Sequence, residues 1–231
     1  MRRSRTVYET RSALAGRIRV VDGVRERRLI VAGDTLSVLP LDGDWSRLRR
    51  EYWWRALTVL PLPPRPAVLL VGLGGGTQLH LLTRLARPSA VTVIERDPAI
   101  LRVARDWFGL SAIEGVEYLC GGAEQIVPWL GRGPRRFDYI MEDAAYADAP
   151  ERARGLALSV AALVAPGGVL VLNRHLRSDA ASLAALLRPR FARVTQRRVR
   201  RGGENVLICC AGPATATVAP ASWTRRGACQ G

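Results

Sequence analysis

The feature that most constrains the fold is a glycine-rich run, Gly72-Leu73-Gly74-Gly75-Gly76-Thr77, which follows an apolar segment and opens a helix-like pattern. Glycines let a backbone turn tightly and approach a ligand, and the free N–H groups of a helix start face that ligand. The run lacks the GxxxxGK[ST] lysine of a triphosphate-binding loop. The sequence therefore predicts a strand, a glycine loop and a helix that together hold a nucleoside.

Beyond a proline run at 61–66, the chain alternates regularly between strand-like and helix-like segments. Such alternation requires a mostly parallel sheet covered by helices on both faces. We predict a Rossmann-like α/β domain with the class I methyltransferase fold and a mostly parallel seven-stranded sheet. The predicted strands are 67–71, 91–95, 116–120, 137–142, 169–173, 193–198 and 205–210. The predicted helices are 77–87, 99–107, 124–130, 151–163 and 179–188.

The part before the proline run has a different pattern. Short alternating segments at 17–21 and 28–32, with turn signals after each, predict a small N-terminal β-hairpin domain. A single helix is predicted over 45–60, ended by the prolines. The predicted organisation is a β-rich segment at 1–44, a linking helix and proline-rich boundary at 45–66, the nucleoside-binding domain at 67–211, and a mobile tail at 212–231.

Charge and cysteine content exclude several classes of protein. The net charge is +15, but every basic residue is arginine, the arginines are scattered, and no interleaved aromatics suggest a base-stacking platform. We interpret the charge as a solvated basic surface and expect no nucleic-acid partner. The four cysteines lack metal-ligand spacing, so no metal site is predicted, and no apolar run is long enough to cross a membrane. We expect a cytoplasmic protein.

Two acidic residues stand where a parallel sheet presents its ligand-binding edge. Glu95 ends the second predicted strand of the domain, 19 residues after Gly76, where a carboxylate can accept both hydroxyls of a ribose. The fourth strand ends in Glu142-Asp143, and only one of these two can face the ligand crevice because consecutive strand residues point in opposite directions. Asp143 is predicted to accept a proton from an attacking amine, or alternatively to cap a turn or the next helix. The spacing between the glycine loop and Glu95 does not by itself exclude a dinucleotide as the ligand.

These motifs together resemble the polyamine aminopropyltransferase (spermidine synthase-like) family, in its divergent bacterial branch. The resemblance covers most of the chain and is carried by 7–10, 16–20, 51–52, 72–77, 95–98, Asp143 and 165–171. It implies an N-terminal β-hairpin domain, homodimers or tetramers, and transfer of an aminopropyl group from decarboxylated S-adenosylmethionine to an amine. In the family, the acid matching Glu95 holds the ribose and the aspartate matching Asp143 deprotonates the acceptor amine.

On the donor side, the sequence departs from the family at two positions. Gly75 stands where the family has an aspartate that helps to hold the donor's amine. Gly122, followed by Ala123, stands where an aspartate reads the adenine amino group. The loss of the amine-holding aspartate at Gly75 weakens selection for the decarboxylated donor. The donor-binding residues that we predict are Gly72, Gly74, Gly75, Gly76, Thr77, Glu95, Gly122 and Ala123.

On the acceptor side, the family's second acid after the fourth strand falls on Tyr146, with Asp148 nearby as a substitute. Its Tyr-His-Glu clamp for the polyamine is replaced by Trp53-Trp54-Arg55. Arg55 inverts the local charge, and a strongly cationic protein repels a polycation. We therefore predict an acceptor other than putrescine, bound by Tyr146, Asp148, Trp53 and Trp54, although at least one of the two tryptophans is expected to belong to the core. Neither His80 nor His175 is expected to be catalytic.

From the sequence, the leading hypothesis is a spermidine synthase-like transferase that uses a sulfonium nucleoside as alkyl donor. Its donor is S-adenosylmethionine or the decarboxylated form, and its acceptor is a small-molecule amine or another nucleophile. The first alternative is an S-adenosylmethionine-dependent methyltransferase. The second is a non-catalytic binding module on the same fold, because both halves of the site depart from the family pattern.

Overall fold

The computed structural model describes residues 4–144, 150–175, 180–199 and 205–213. Its N-terminal part is an antiparallel sheet of four strands that pair in sequence order: β1 (Arg5–Ser12), β2 (Gly16–Asp22), β3 (Glu26–Val31) and β4 (Asp34–Pro40). Alternate residues of the two central strands are apolar and buried, which leaves the other face of the sheet to arginines. The two predicted strands at 17–21 and 28–32 are the central pair of this sheet.

The link to the second part differs from the single helix that we predicted over 45–60. A 3-10 helix at Trp45–Arg50 is followed by a separate helix, α1 (Tyr52–Thr58). Glu51 between them has an extended backbone, with φ −81° and ψ 156°, which ends the first helix. Periodicity alone could not show the break, because Trp45 and Trp53 on either side of it are both buried in one core.

The second part of the chain forms a seven-stranded sheet. Its strands are β5 (Ala67–Val71), β6 (Ala90–Glu95), β7 (Val116–Cys120), β8 (Phe137–Glu142), β9 (Val164–His175), β10 (Phe191–Val199) and β11 (Asn205–Pro213). They lie in the order β10-β11-β9-β8-β5-β6-β7. The last five strands of this order are parallel, and β10 and β11 are antiparallel to their neighbours. This confirms the predicted Rossmann-like α/β fold. The helices are α2 (Thr77–Leu85), α3 (Pro98–Trp107), α4 (Ala123–Gly131), α5 (Pro150–Ala161) and α6 (Ala180–Leu187).

In the large sheet, two strand ends differ from the prediction by more than two residues. Strand β9 begins at Val164 rather than at 169, because Val164 already pairs with Phe137 of β8 before the turn at Gly167. Strand β11 continues to Pro213, where it pairs with Phe191 of β10. Gly212 therefore belongs to the sheet and not to the tail predicted from that position, and residues 214–231 lie outside the described part of the chain.

Apolar side chains form three clusters that fix the layers. One core lies between the large sheet and α4, α5 and α6, and a second lies between its other face and α1 and α2. The third cluster joins the N-terminal sheet to α3, where Ile18 and Leu29 pack with Ile100 and Val103. No helix in the described ranges is long and apolar enough to cross a membrane.

Candidate functional site

The glycine loop leaves the central strand of the large sheet between the ends of β6 and β8. Gly72 N–H donates to the Ile94 carbonyl at 2.9 Å, and Asp143 N–H donates to the Val71 carbonyl at 2.8 Å. Gly72 has φ +93°, and a Cβ at this position would lie 3.1 Å from the Asp143 carbonyl carbon. Only glycine satisfies both constraints. The loop is therefore flanked closely by Glu95 and Asp143.

Glu95 is buried at the end of β6 and is held by the glycine loop itself. Its Oε2 accepts from the Leu73 N–H at 3.0 Å, and its Oε1 accepts from the Asp97 N–H at 2.9 Å. Burial raises the pKa of Glu95, while these backbone N–H groups oppose the rise by stabilising the charged form. The Gly74 N–H also bonds to this carboxylate. Because a carboxylate has about four acceptor positions, about one remains for a ribose hydroxyl of the kind that the sequence predicts here.

The N-terminal sheet packs directly on the glycine loop. Ser37 Oγ in β4 accepts from the Gly75 N–H at 2.7 Å, and the Thr77 hydroxyl both accepts from Val38 N–H and donates to Val38 O at 2.8 Å. A Cβ at Gly75 would lie 2.9 Å from Ser37 Cβ and 3.0 Å from Phe108 Cδ1. There is no room at this position for the family's aspartate. The contacts of Gly75 and Thr77 are with β4 and with Phe108, the residue that follows α3. Their roles in donor binding therefore remain predictions.

The turn between β7 and α4 lies beside the end of β6, because Gly121 N–H donates to the Glu95 carbonyl at 3.0 Å. Gly122 is the N-cap of α4, and Ala123 is its first residue. A Cβ on Gly122 would meet only Glu124 Oε2, at 3.4 Å, so the space that an aspartate would fill is open. The predicted adenine-side residues therefore lie next to Glu95, as a nucleoside site requires.

Asp143 is half-buried and held from two sides. The Tyr52 hydroxyl donates to its Oδ2 at 2.8 Å, and the Asn173 amide donates to its Oδ1 at 2.7 Å. Burial raises the pKa of Asp143 to about 6, even though both hydrogen bonds favour the charged form. A carboxyl group that titrates near neutral pH, at the end of a strand beside a ligand loop, suits a general base.

Glu142 points to the opposite side of β8, as strand alternation requires. It forms a fully buried ion pair with Arg174, whose guanidinium also donates to the Asn173 carbonyl at 2.6 Å. Glu142 Oε1 accepts from the Ala144 N–H at 3.0 Å. The ion pair thus links the end of β8, which Asp143 follows, to β9, which carries Asn173.

The remaining predicted site residues lie in different places. Trp53 is buried in the core, with its ring 4.5 Å from that of Tyr52, whereas Trp54 is half-buried beneath the Arg49 guanidinium. Tyr146 and Asp148 lie outside the described residues, so their predicted role stays a prediction. His80 is a core residue whose Nε2 contacts the Phe108 carbonyl at 2.7 Å.

Sequence reasoning missed two residues that contact Asp143. Tyr52 was noted only as part of a motif, and Asn173 was not singled out. Asn173 lies near the carboxyl end of β9, the neighbour of β8, so the rule that parallel strands present their ligand residues at this edge could have found it. The motif at 51–52 includes Tyr52, but no local pattern predicts its contact with Asp143, because the two residues are 91 positions apart.

A separate open depression of about 510 Å³ lies at the opposite edge of the sheet, lined by Arg65, Arg87 and Glu114 among others. It is remote from Glu95 and Asp143, which follow the carboxyl ends of the strands. The crevice between those two acids is the candidate site. No group of histidine, cysteine or acidic residues suited to a metal ion occurs in the part of the chain that the structure describes.

Comparison with known proteins found no matching protein-family model. The eEF1A lysine and N-terminal methyltransferase of Danio rerio is 33% identical over 159 residues, which cover 62% of this chain and 23% of that protein. The polyamine aminopropyltransferase of Vibrio vulnificus (strain CMCP6) is 28% identical over 136 residues, covering 57% of this chain and 46% of that protein. The chain thus spans less than half the length of either relative.

Two solved structures are similar in fold. Human methyltransferase-like protein 13 in complex with SAH superposes with a TM-score of 0.54 and 27% identity, covering 68% of this chain and 74% of that one. Spermidine synthase from Thermotoga maritima gives a TM-score of 0.64 and 15% identity, covering 90% of this chain and 72% of that one.

Fold and site together define a class I methyltransferase-fold protein with an N-terminal four-stranded sheet. The relatives are methyltransferases and aminopropyltransferases, and both are transferases. The chain is similar to methyltransferases and to aminopropyltransferases, and the matches do not assign it to the divergent bacterial branch of the aminopropyltransferases.

Proposed function

We propose that the protein is an S-adenosylmethionine-dependent transferase that alkylates an amine nitrogen. The observation that carries this proposal is the pair of acids on either side of the glycine loop, Glu95 at the nucleoside side and Asp143 at the other. The named relatives support it, because one acts on a lysine and an N-terminus and the other on a polyamine. Amine nitrogens are common to both.

The chemistry is a displacement at the carbon beside a sulfonium. The amine lone pair forms the new N–C bond while the C–S bond breaks, and sulfur keeps that electron pair as a neutral thioether. A proton leaves the nitrogen for the Asp143 carboxylate, whose pKa of about 6 leaves it largely ionised near pH 7. Placement of the two reactants in line by the loop and the strand ends supplies the rest of the rate.

Methyl transfer from intact S-adenosylmethionine is the transfer that the geometry favours. The glycine loop has no space for an acid at Gly75, since Ser37 and Phe108 fill the position that a side chain would take. Without that acid, the loop has no group that favours decarboxylated S-adenosylmethionine, which ends in an amine, over the intact form, which ends in an amino-acid group. The human relative whose structure contains SAH supports the same donor class.

Aminopropyl transfer is the second candidate. It is favoured by the N-terminal four-stranded sheet, which the spermidine synthase comparison includes because that match covers 90% of the chain. Putrescine itself is proposed to be a poor acceptor, since Trp54 and Arg55 stand in place of the clamp and Arg55 is exposed.

A thermal-unfolding panel tests the donor. Purified protein is heated with S-adenosylmethionine, its decarboxylated form, methylthioadenosine, S-adenosylhomocysteine or NAD. A ligand at 100 times its dissociation constant stabilises by about 2.7 kcal/mol, which is readily detected. We expect S-adenosylmethionine and S-adenosylhomocysteine to give the largest shifts. Preference for methylthioadenosine and the decarboxylated donor would select aminopropyl transfer, and a shift with NAD alone would refute the proposal.

Mass spectrometry of amine acceptors incubated with each donor then tests catalysis. Propylamine and Nα-acetyl-lysine amide each present one primary amine with one positive charge, whereas putrescine presents two amines and two charges. We expect a mass gain of one methyl group on a monoamine and little turnover of putrescine. Donor binding without transfer to any amine, peptide or protein acceptor would indicate a non-catalytic binding module on this fold.

A further inference from the structure

The side chain of Asn173 has one polar atom satisfied and one that is not. The residue is 1% exposed, and its Nδ2 donates to Asp143 Oδ1 at 2.7 Å. Its Oδ1 is buried and has no hydrogen-bond partner among the described residues. The orientation of the amide is fixed by its neighbour, because an ionised carboxylate can only accept and the nitrogen must face it.

A buried carbonyl oxygen without a donor is destabilising, so its presence needs an explanation. Here the orphaned oxygen belongs to the same amide that holds the proposed base. The Tyr52 hydroxyl donates its hydrogen bond to Asp143 Oδ2, so it is not the donor for the Asn173 oxygen. A ligand that brings N–H or O–H donors to this position would satisfy the buried oxygen.

We propose that Asn173 Oδ1 accepts an N–H group of the acceptor amine while Asp143 takes another, so that the site selects nitrogens with at least two N–H groups. This rests on the proposed function and names its substrate class: primary and secondary amines, and not tertiary amines. A primary alkylammonium ion has three N–H groups and a secondary one has two, of which one leaves as the proton and one binds Asn173. A protonated tertiary amine keeps the charge but has a single N–H group, so a third transfer to the same nitrogen is disfavoured.

The test uses two monovalent cations with the same propyl chain as probes. Protein saturated with S-adenosylhomocysteine is titrated by ligand-observed NMR with propylamine, or with N,N,N-trimethylpropylammonium. Both carry one positive charge near pH 7, but only propylamine has N–H groups. We expect the wild-type protein to bind propylamine at least tenfold more tightly.

Variants of Asn173 assign the preference to its oxygen. Asn173→Ala removes the acceptor and should reduce the preference about fivefold, the effect of one hydrogen bond. Asn173→Asp keeps an acceptor oxygen at the same place and should retain the preference, although its added charge changes the affinity of both cations. Gln196→Ala removes an exposed amide on β10 and should change neither value.

The outcomes separate this inference from the proposed function. Failure to bind S-adenosylhomocysteine would refute the function itself. If that ligand binds but the two cations bind equally, or if Asn173→Ala keeps the full preference, Asn173 Oδ1 holds water and only positions Asp143. Unchanged S-adenosylhomocysteine affinity shows that a variant is folded. If the alanine variant is not folded, Asn173→Leu replaces it, because leucine has the same number of side-chain heavy atoms as asparagine and the same branching at Cγ.

Discussion

Oδ2 of Asp143 accepts a 2.8 Å hydrogen bond from the hydroxyl of Tyr52, which lies 91 positions earlier in the chain. Tyr52 begins α1, the helix that links the N-terminal sheet to the large sheet, so the linker contributes directly to the candidate site. The hydrogen bond favours the ionised carboxylate and opposes the rise in pKa that burial causes.

Tyr52→Phe removes this hydrogen bond and should raise the pKa of Asp143 above its value of about 6. Because transfer needs the ionised carboxylate, the rate rises with pH through that pKa, and its midpoint should move to higher pH by about one unit. The loss of rate is therefore largest below neutral pH and disappears in alkaline solution. Single-turnover rates from pH 5 to 9 measure it. Tyr8→Phe, which alters a tyrosine stacked on Trp107 in the N-terminal sheet, should leave the midpoint unchanged.

Asp143→Asn keeps the size of the side chain but removes the base. Transfer should fall by about 10²–10⁴-fold, while the affinity for S-adenosylmethionine hardly changes. Calorimetry for binding and single-turnover mass spectrometry for transfer separate these effects. Asp106→Asn on the exposed side of α3 is the matched control. Wild-type transfer by Asp143→Asn near neutral pH would reduce Asp143 to a residue that orders the turn after β8.

Glu95→Gln should act on binding rather than on chemistry. An amide nitrogen cannot accept, so the variant loses an acceptor for a ribose hydroxyl or leaves the N–H of Leu73 or Asp97 without its partner. Donor affinity should weaken by about 10–100-fold, with near-normal transfer at saturating donor. Glu114→Gln at the opposite edge of the sheet should bind as the wild type does. Equal donor affinity in Glu95→Gln would exclude a ribose contact at this position.

Gly75→Ala tests the packing of the N-terminal sheet on the glycine loop. Its methyl group would lie within 3.0 Å of Ser37 and Phe108, so the variant should lose about 1–3 kcal/mol of unfolding free energy. Gly155→Ala is the matched control, because nothing lies within 4 Å of its added Cβ and the residue is within α5. That variant should gain about 0.5–1 kcal/mol. Urea unfolding measures both, and a neutral Gly75→Ala would mean that β4 does not hold the loop closely.

The sequence determined the parts of this protein that depend on local pattern. Alternation of apolar strands and amphipathic helices predicts a parallel sheet, and the polarity of its strands places Gly72, Glu95 and Asp143 at one edge. The stop at Pro61 and the glycine run also follow from backbone chemistry that each residue carries with it. These features need no knowledge of distant contacts.

Tertiary structure decided the rest. The break at Glu51 depends on the common core in which Trp45 and Trp53 are buried. Ser37 contacts the glycine loop, and Tyr52 and Asn173 converge on Asp143. These contacts join residues that are far apart in sequence. Their partners are set by how the N-terminal sheet and the linker pack on the large sheet, and no local periodicity encodes that packing. The same packing closes the position at Gly75 to a side chain, because the atoms that fill it come from β4 and from the end of α3.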